Sequence, residues 1–472
     1  MANFVQLEYI YKRPKFLMTC IFGIVFIIFG NLAGNAIQFG IYIMQAINPE
    51  CQTDSCLNKP RVLGWAAGVL SLCSLINAST RKFSIGLNNI LASLKVLLVL
   101  VMALLGIIYG SIHGNGCRQI TFQNWGGTGQ FGDIVLALFY AMYPYTGYEQ
   151  PFYVLAEVSR PKQTFAKATN FAMLTALILF PLVNVSYLCM TPYSGNDSLP
   201  TNMGIAFFER LAGTSTAAPR GPSVVFAIFI FGNLLAQTYT ATRVKQEIAK
   251  EGILPWSLIF ASGSDTWFAR LTSSSPSRPY RPAVEDIDSH IEQAPIAATF
   301  LHWAVEVVLV LVVGSLLPLS QAYNFLTYIY TFAIVGVLGL LTAGGLLYLK
   351  LDSLSVGLNH RHWKEKSAWK PWLDPLPAVL ATAALAFLLF AAFAPPSAKQ
   401  PNSLPWWVGP TAGWLSGALG IFWWLGLRFI QWKGRWELHI SRVPLIEIDG
   451  EGNAIQRVEL VEHQRIPANG DN

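Results

Sequence analysis

The chain has 472 residues, of which 53% are hydrophobic and only 12% are charged, and its mean hydropathy is +0.43. Soluble domains carry about 25% charged residues, so this composition excludes a soluble globular protein and indicates an integral membrane protein. The net charge of +6 does not indicate a nucleic-acid partner, because most Lys and Arg residues fall in segments that the positive-inside rule places in the cytoplasm.

Ten apolar runs are long enough, or nearly so, to cross a bilayer as helices. An even number of spans puts both termini on one side, and the Lys and Arg distribution makes that side cytoplasmic. The runs therefore predict an all-α polytopic membrane protein. In chain order they are Phe16–Met44, Val62–Asn77, Ile90–Tyr109, Gly132–Val154, Phe171–Met190, Val224–Thr242, Ala297–Leu317, Phe325–Leu349, Pro377–Phe393 and Trp406–Ile430.

The spans define one transmembrane domain, residues 16–430, between a cytoplasmic N-terminal segment, 1–15, and a cytoplasmic tail, 431–472. A Ser- and Pro-rich cytoplasmic insertion at 262–293 has the composition of a flexible segment. Alternating apolar and polar residues around Val443–Ile448 and Val458–Val461 predict that the tail pairs as short strands.

Motifs of enzymatic chemistry are missing from the sequence. It has no Walker-type phosphate loop, no His-Glu-x-x-His pair, no zinc-type cysteine spacing and no Gly-x-Ser-x-Gly elbow. We therefore expect no metal, no cofactor and no enzymatic activity, and the alternative of an intramembrane enzyme has no group of residues to support it.

Three ionisable residues, Lys95, Glu149 and Glu306, lie within predicted spans. A charge at the bilayer centre costs several kcal/mol on most scales, so each of them is a functional candidate.

The fourth span is interrupted by Tyr143–Pro151, "YPYTGYEQP". Pro144 and Pro151 each remove a helical hydrogen bond and Gly147 loosens the backbone, so the released amides and carbonyls need partners away from lipid. A broken helix that presents its open ends to a midplane site is how many secondary transporters bind small solutes. The alternative is a proline kink with a structural role only.

Further polar residues mark two spans. Asn31, Asn35 and Gln38 follow helical spacing on one face of the first span, which indicates either hydrogen-bonded helix packing or cavity lining. Thr242, at the end of the sixth span, could either ligand a cation or bond back to its own helix.

Two kinds of modification are expected on the outer side. Cys51, Cys56 and Cys117 fall in outer segments, where an oxidising environment favours a disulfide whose pairing the sequence leaves open. Asn196 begins the one Asn-x-Ser sequon that this topology exposes to glycosylation.

Four stretches resemble the amino acid–polyamine–organocation superfamily, specifically the L-type amino acid transporters and their fungal methionine-permease branch. The resemblance covers nearly the whole chain and implies a LeuT-type fold of two inverted five-helix repeats followed by two more helices. The stretches are Leu7–Asn35, Leu87–Leu100, Phe139–Ala168 and Thr242–Ser257.

The resemblance also implies roles for individual residues. Tyr143 matches the aromatic gate over the substrate, and the residues after it match the unwound, substrate-binding backbone: Pro144, Tyr145, Thr146, Gly147 and Tyr148. Lys95 matches a lysine that stands where sodium-coupled relatives hold sodium, near the hydroxyl matched by Thr242, which implies sodium independence. Cys51 and Cys56 fall in the loop that animal relatives link to a partner glycoprotein, whereas the fungal branch works without one.

One departure from the family is large. The first span corresponds to the family's third helix, so the ten spans correspond to family helices 3–12, and the expected first helix, with its own broken segment for the substrate's carboxylate and amino group, is not in the sequence. The expectation is a truncated form of a true transporter, and the alternative is a degenerate relative.

Together these features predict a secondary amino acid permease of the plasma membrane. Its expected substrate is methionine or another large neutral amino acid, or else a different solute such as a polyamine. Transport is expected to be proton-coupled through Glu149, because an acid beside an unwound segment can change protonation as the cavity opens and closes. The alternative from another class is a membrane sensor or interaction partner that does not transport.

Overall fold

The computed structural model describes residues 3–11, 13–51, 53–112, 130–155, 161–190, 203–212, 220–265, 293–352, 373–396, 404–448 and 454–467. Asn196, Cys117 and most of the Ser- and Pro-rich insertion lie outside these residues. The two ends of that insertion pair with each other, as β1 (Ser264–Asp265) and β2 (Gln293–Ala294) in antiparallel register.

Helices account for most of the described chain. Within the described residues, eight helical segments are long and apolar enough to cross a membrane, and Phe131–Tyr145 and Leu376–Ala391 are shorter apolar helices. These ten confirm the predicted all-α polytopic architecture. The helices are α1 (Asn3–Ile10), α2 (Leu17–Phe29), α3 (Ala33–Ile47), α4 (Lys59–Ser79), α5 (Arg81–Ile112), α6 (Phe131–Met142), α7 (Gln150–Tyr153), α8 (Pro161–Met190), α9 (Met203–Ala212), α10 (Arg220–Lys250), α11 (Ser257–Ala261), α12 (Ile296–Leu316), α13 (Leu319–Tyr330), α14 (Gly339–Asp352), α15 (Leu376–Ala391) and α16 (Val408–Gly434).

Three spans depart from regular α-helix. The first is broken at Gly30–Leu32, which we call the first-span break, between α2 and α3. The fourth is broken at Tyr143–Glu149, the unwound segment, between α6 and α7. Between α13 and α14 the chain forms a π-helix over Thr331–Leu338, a local widening that is frequent at functional sites.

The protein core lies between α2, α3, α4, α10, α12 and α13, where apolar side chains from all six helices pack together. Helices α5 and α8 lie at the perimeter: only 6% of the most apolar stretch of Thr164–Met190 is buried within the protein, against 67% for Leu17–Ile47. A helix that is apolar yet exposed in this way faces lipid.

The N-terminal segment and the tail lie at the same end of the helices. Glu8 accepts hydrogen bonds from the Phe16 backbone N–H (2.7 Å) and the Thr19 hydroxyl (2.9 Å), which caps the start of α2. Both Glu8 and Arg442 of the tail lie within electrostatic range of Glu251, just past α10. Burial raises the pKa of Glu251, and the Arg442 guanidinium opposes that rise.

The predicted pairing of the tail is confirmed and extends further than the alternation indicated. Strands β3 (Trp436–Ile448) and β4 (Ala454–Pro467) form an antiparallel hairpin. The hairpin contacts the end of α10 through Arg442, which pairs with Glu247 and Glu251, and through His463, whose Nε2 donates to the Lys250 carbonyl (2.8 Å).

Several helices run beyond their predicted bounds. The third predicted span begins at Ile90 and the sixth ends at Thr242, whereas α5 starts at Arg81 and α10 continues to Lys250. Helix α9, between the fifth and sixth spans, was not predicted. A polar extension keeps its backbone hydrogen bonds after it leaves the apolar layer, so hydropathy marks the bilayer and not the helix end.

Disulfides involve more than the outer loops. Cys51 and Cys56 are bonded to each other between α3 and α4. Cys189, which lies within the fifth predicted span, is also disulfide-bonded. It occupies the second-last position of α8. Cys20 and Cys73 are free and buried.

Replacing Gly40 by alanine is expected to destabilise the fold by about 1–3 kcal/mol, the usual cost of overpacking. A Cβ at Gly40 would lie 2.3 Å from the Val62 carbonyl oxygen, so α3 and α4 would have to separate. Gly68→Ala is the matched control, because a Cβ there meets no atom within 4 Å. Thermal unfolding in detergent measures the stability of both variants. Equal melting temperatures for Gly40→Ala and Gly68→Ala would contradict the close packing of α3 on α4.

Candidate functional site

The unwound segment forms where the fourth span cannot continue as an α-helix. Helix α6 ends at Met142, and a single tight turn follows over Tyr143–Tyr145. Gly147 then takes φ +99°, a left-handed conformation that side chains with a Cβ rarely adopt. Pro144 and Pro151 lack the amide hydrogens that a continuous helix would need.

The released backbone groups are bonded locally. The Thr146 amide and hydroxyl both donate to the Tyr143 carbonyl, at 3.0 and 2.7 Å. The Gly147 amide donates to Oε2 of Glu149 at 3.1 Å, and the Gln150 amide donates to the Gly147 carbonyl at 3.0 Å. The Glu149 carboxylate thus stabilises the turn that interrupts its own span.

Glu149 is buried, with 7% of its surface exposed. Its Oε1 lies 3.5 Å from Nε2 of the Gln150 side chain. The side-chain oxygen of Gln150 accepts a hydrogen bond from the Thr240 hydroxyl of α10. Tyr330, at the end of α13, also interacts with Glu149. The unwound segment is therefore held between α10 and α13.

Tyr143 joins two of the predicted elements. Its hydroxyl donates to Oδ1 of Asn35 on α3 at 2.7 Å. Asn35 is buried, so the polar face of the first span and the interrupted fourth span meet at this bond.

A cavity of about 180 Å³ opens beside Tyr143. Its walls are mostly aromatic, with hydroxyl and amide groups and no charged side chain among its described lining residues, which are Phe139, Tyr140, Tyr143, Tyr323, Asn324, Thr327, Tyr328 and Thr331. An apolar wall with a few polar groups suits a small solute that carries an uncharged side chain.

The other substrate-binding candidates point elsewhere. The Tyr145 ring meets Phe180 of α8 edge-on at 5.2 Å. Pro144 is exposed, and Tyr148 is 41% exposed. Only Tyr143 among the predicted residues of this segment lines the cavity.

Asn31 departs from the prediction. It lies in the first-span break, where Nδ2 donates to the Ile28 carbonyl (2.6 Å) and Oδ1 accepts from the Ala33 amide (3.1 Å). Its polar atoms therefore cap the break, and Asn31 is not among the described residues that line the cavity beside Tyr143, described above. Because the backbone turns at Gly30–Leu32, Asn31 does not share the α3 face with Asn35 and the half-buried Gln38.

Lys95 and Thr242 do not bond to each other. The Thr242 hydroxyl donates to the Tyr239 carbonyl of its own helix at 2.9 Å. Of the two alternatives for Thr242, the structure therefore agrees with a hydrogen bond back to its own helix. Lys95 is half-buried on α5, one turn from Leu91, which packs against Gly232 of α10. Among the described residues, no hydrogen bond or ion pair is made by Lys95.

The α13 wall of the cavity was missed by sequence reasoning. Asn324, Thr327 and Thr331 fall at i, i+3 and i+7, one face of a helix, within an apolar span. That spacing was a usable signal, although the π-helical stretch that begins at Thr331 has no marker in the sequence.

The spans, the interrupted fourth helix and the adjoining cavity define a polytopic membrane protein of the transporter type. The amino acid permease family model matches residues 2–416. The chain belongs to this family, whose members are amino acid transporters and not enzymes.

Individual relatives agree with that assignment. The high-affinity methionine permease of Saccharomyces cerevisiae is 24% identical over 97% of this chain and 76% of its own length. The low-affinity methionine permease of the same yeast is 23% identical over 53% of this chain and 46% of its own. The human cystine/glutamate transporter is 26% identical over 47% of this chain and 42% of its own, so these last two matches span less than half of each relative.

Proposed function

We propose that this protein is a secondary active permease for methionine or another large neutral amino acid, sodium-independent and proton-coupled. It would reside in the plasma membrane with both termini in the cytoplasm. The observation that carries the proposal is the unwound segment, which lies directly beside an aromatic cavity through Tyr143.

The cavity chemistry supports the substrate class. Four tyrosines and a phenylalanine line it, and no charged side chain does so among its described residues. A thioether or a branched aliphatic chain packs well on aromatic rings, and sulfur–aromatic contacts contribute about 0.3–1.5 kcal/mol each. The similarity to two methionine permeases points to the same class and favours transport over a sensor that does not transport.

Ion coupling is assigned from the intramembrane charges. By the resemblance described above, Lys95 on α5 stands where sodium-coupled relatives hold sodium, and a lysine ammonium at that position supports sodium independence. Glu149 is the proposed proton carrier, because it is buried, it accepts the Gly147 amide, and a change in its charge would alter the unwound segment. A neutral carboxyl group is a weaker acceptor than a carboxylate.

Glu149→Gln is expected to abolish the stimulation of methionine uptake at acidic external pH. Glutamine keeps the size and the hydrogen-bonding oxygen but cannot gain or lose a proton. The measurement is the ratio of labelled-methionine uptake by cells at acidic external pH to uptake at neutral pH. Glu50→Gln, at an exposed acid, is the matched control and should keep the wild-type ratio. Retention of that ratio in Glu149→Gln would contradict the role of Glu149.

A further inference from the structure

Three ionisable side chains are completely enclosed between α10 and α12. Lys245 and His302 are each 0% exposed, and Glu306 is 1% exposed. We call them the buried ionisable cluster. Isolated buried charges cost several kcal/mol each, so such groups persist only when they are paired or when they serve a function.

The cluster forms a chain of polar contacts. Lys245 Nζ lies 2.9 Å from His302 Nδ1, and His302 Nε2 lies 3.5 Å from Glu306 Oε2. An ammonium at Lys245 can only donate, so Nδ1 accepts and the imidazole hydrogen is on Nε2, directed at the carboxylate. Lysine and glutamate are therefore connected through one imidazole, the group best suited to passing a proton.

The cluster also holds the first-span break. Oε1 of Glu306 accepts the Leu32 amide at 3.2 Å, and the Gln237 side chain of α10 donates to the Gly30 carbonyl at 3.3 Å. These are backbone groups that the interruption releases from the helix. The position of the break thus depends on side chains from α10 and α12.

The pairing within the cluster is incomplete. His302 Nε2 and Glu306 Oε2 are buried but neither makes a hydrogen bond within the described residues. A purely structural ion pair gains its stability from full hydrogen bonding, and a half-satisfied one costs stability. The Nε2 hydrogen is directed at Oε2 from 3.5 Å without forming a hydrogen bond, so Oε2 is a buried carboxylate oxygen without a full partner, and it is the atom of the cluster where a proton can add.

Few other ionisable groups face the cluster. Cys73 of α4 lies within electrostatic range of Glu306, and it is a free, buried thiol. The described residues of the first-span break contribute backbone groups and the uncharged Asn31 to this region. The described residues of α11 (Ser257–Ala261), which also packs on α12, include no ionisable side chain. The charge balance of the site is therefore set by Lys245 and Glu306.

We propose that Lys245, His302 and Glu306 form a proton-binding site that fixes the first-span break to α10 and α12 and releases it when a proton is bound. The proton comes from water and adds to a Glu306 carboxylate oxygen. The cluster then changes from neutral overall to a single positive charge on Lys245 without a counter-charge, which favours a state where the cluster meets water. The neutral carboxyl group is also a weaker acceptor for the Leu32 amide.

Infrared difference spectroscopy of the purified full chain, titrated from neutral to acidic pH, tests the site without any substrate. Protonation of Glu306 gives the carbonyl stretch of a carboxylic acid. We expect a titrating band that disappears in Glu306→Gln and remains in Glu149→Gln, the matched control at the other buried glutamate. In Lys245→Gln the band should persist to higher pH, because the positive charge that stabilises the carboxylate is gone.

Hydrogen–deuterium exchange of the unmodified protein gives a second readout that needs no variant. After correction for intrinsic rates, exchange at the Leu32 and Ala33 amides should speed up at acidic pH, while the α3 amides beyond Gly40 keep their protection. Titrating carboxylic-acid bands that are identical in the wild type and Glu306→Gln, or Leu32 protection that does not change with pH, would overturn the proposal. Neither result bears on amino acid transport, which is measured by flux.

Discussion

Replacing Lys245 by methionine is expected to lower the free energy of unfolding by about 3–5 kcal/mol, the cost of breaking a buried ion pair from one side. The side chain is 0% exposed and reaches His302, beyond which lies the Glu306 carboxylate. Methionine fills nearly the same volume but leaves that carboxylate without a counter-charge. Chemical or thermal unfolding in detergent measures the loss.

Two controls separate this effect from lost packing. The double variant Lys245→Met with Glu306→Gln should recover most of the loss, because it leaves no buried charge. Lys433→Met, at an exposed position of α16, should be close to wild type. A Lys245→Met protein as stable as Lys433→Met would show that the cluster carries no charge pair.

Gly147→Val is expected to reduce methionine uptake at least about tenfold. At φ +99° a β-branched residue costs about 1–3 kcal/mol, and about 1.4 kcal/mol already corresponds to a factor of ten. The strain can be relieved only by rebuilding the unwound segment, which would move Glu149 off the Gly147 amide and shift Tyr143 at the cavity.

The matched control is Gly64→Val, since a Cβ at that α4 glycine meets no atom within 4 Å. Uptake is divided by the amount of protein at the cell surface, so that loss of folding is not counted as loss of transport. Normal uptake per molecule in Gly147→Val would mean that the unwound segment is not part of the transport pathway.

The interrupted fourth span was predictable because its causes are local. Pro144 and Pro151 each lack the amide hydrogen that a helical hydrogen bond needs, and Gly147 readily adopts the left-handed conformation that interrupts the helix. The first-span break is different: no proline marks it, and Asn31, Asn35 and Gln38 have the spacing of an unbroken helix. It is stabilised by Glu306 and Gln237, which are distant in sequence, and a pattern within one span carries no information about such partners.

The buried ionisable cluster was visible only in part. Glu306 is an acid in an apolar span and therefore a candidate, whereas Lys245 follows the predicted end of the sixth span at Thr242, where the positive-inside rule places it in the cytoplasm. Helix α10 continues past the predicted end of the span and turns Lys245 into the core, on the same face as Thr238 and Thr242. That spacing, and the i, i+4 relation of His302 to Glu306, were the available signals.

Methionine counterflow in proteoliposomes that contain the purified chain tests whether the protein transports. Vesicles loaded with unlabelled methionine should take up labelled methionine transiently, in a saturable manner, and other large neutral amino acids should compete. Methionine that raises the melting temperature of the protein without any flux above protein-free vesicles would contradict a permease and indicate a sensor.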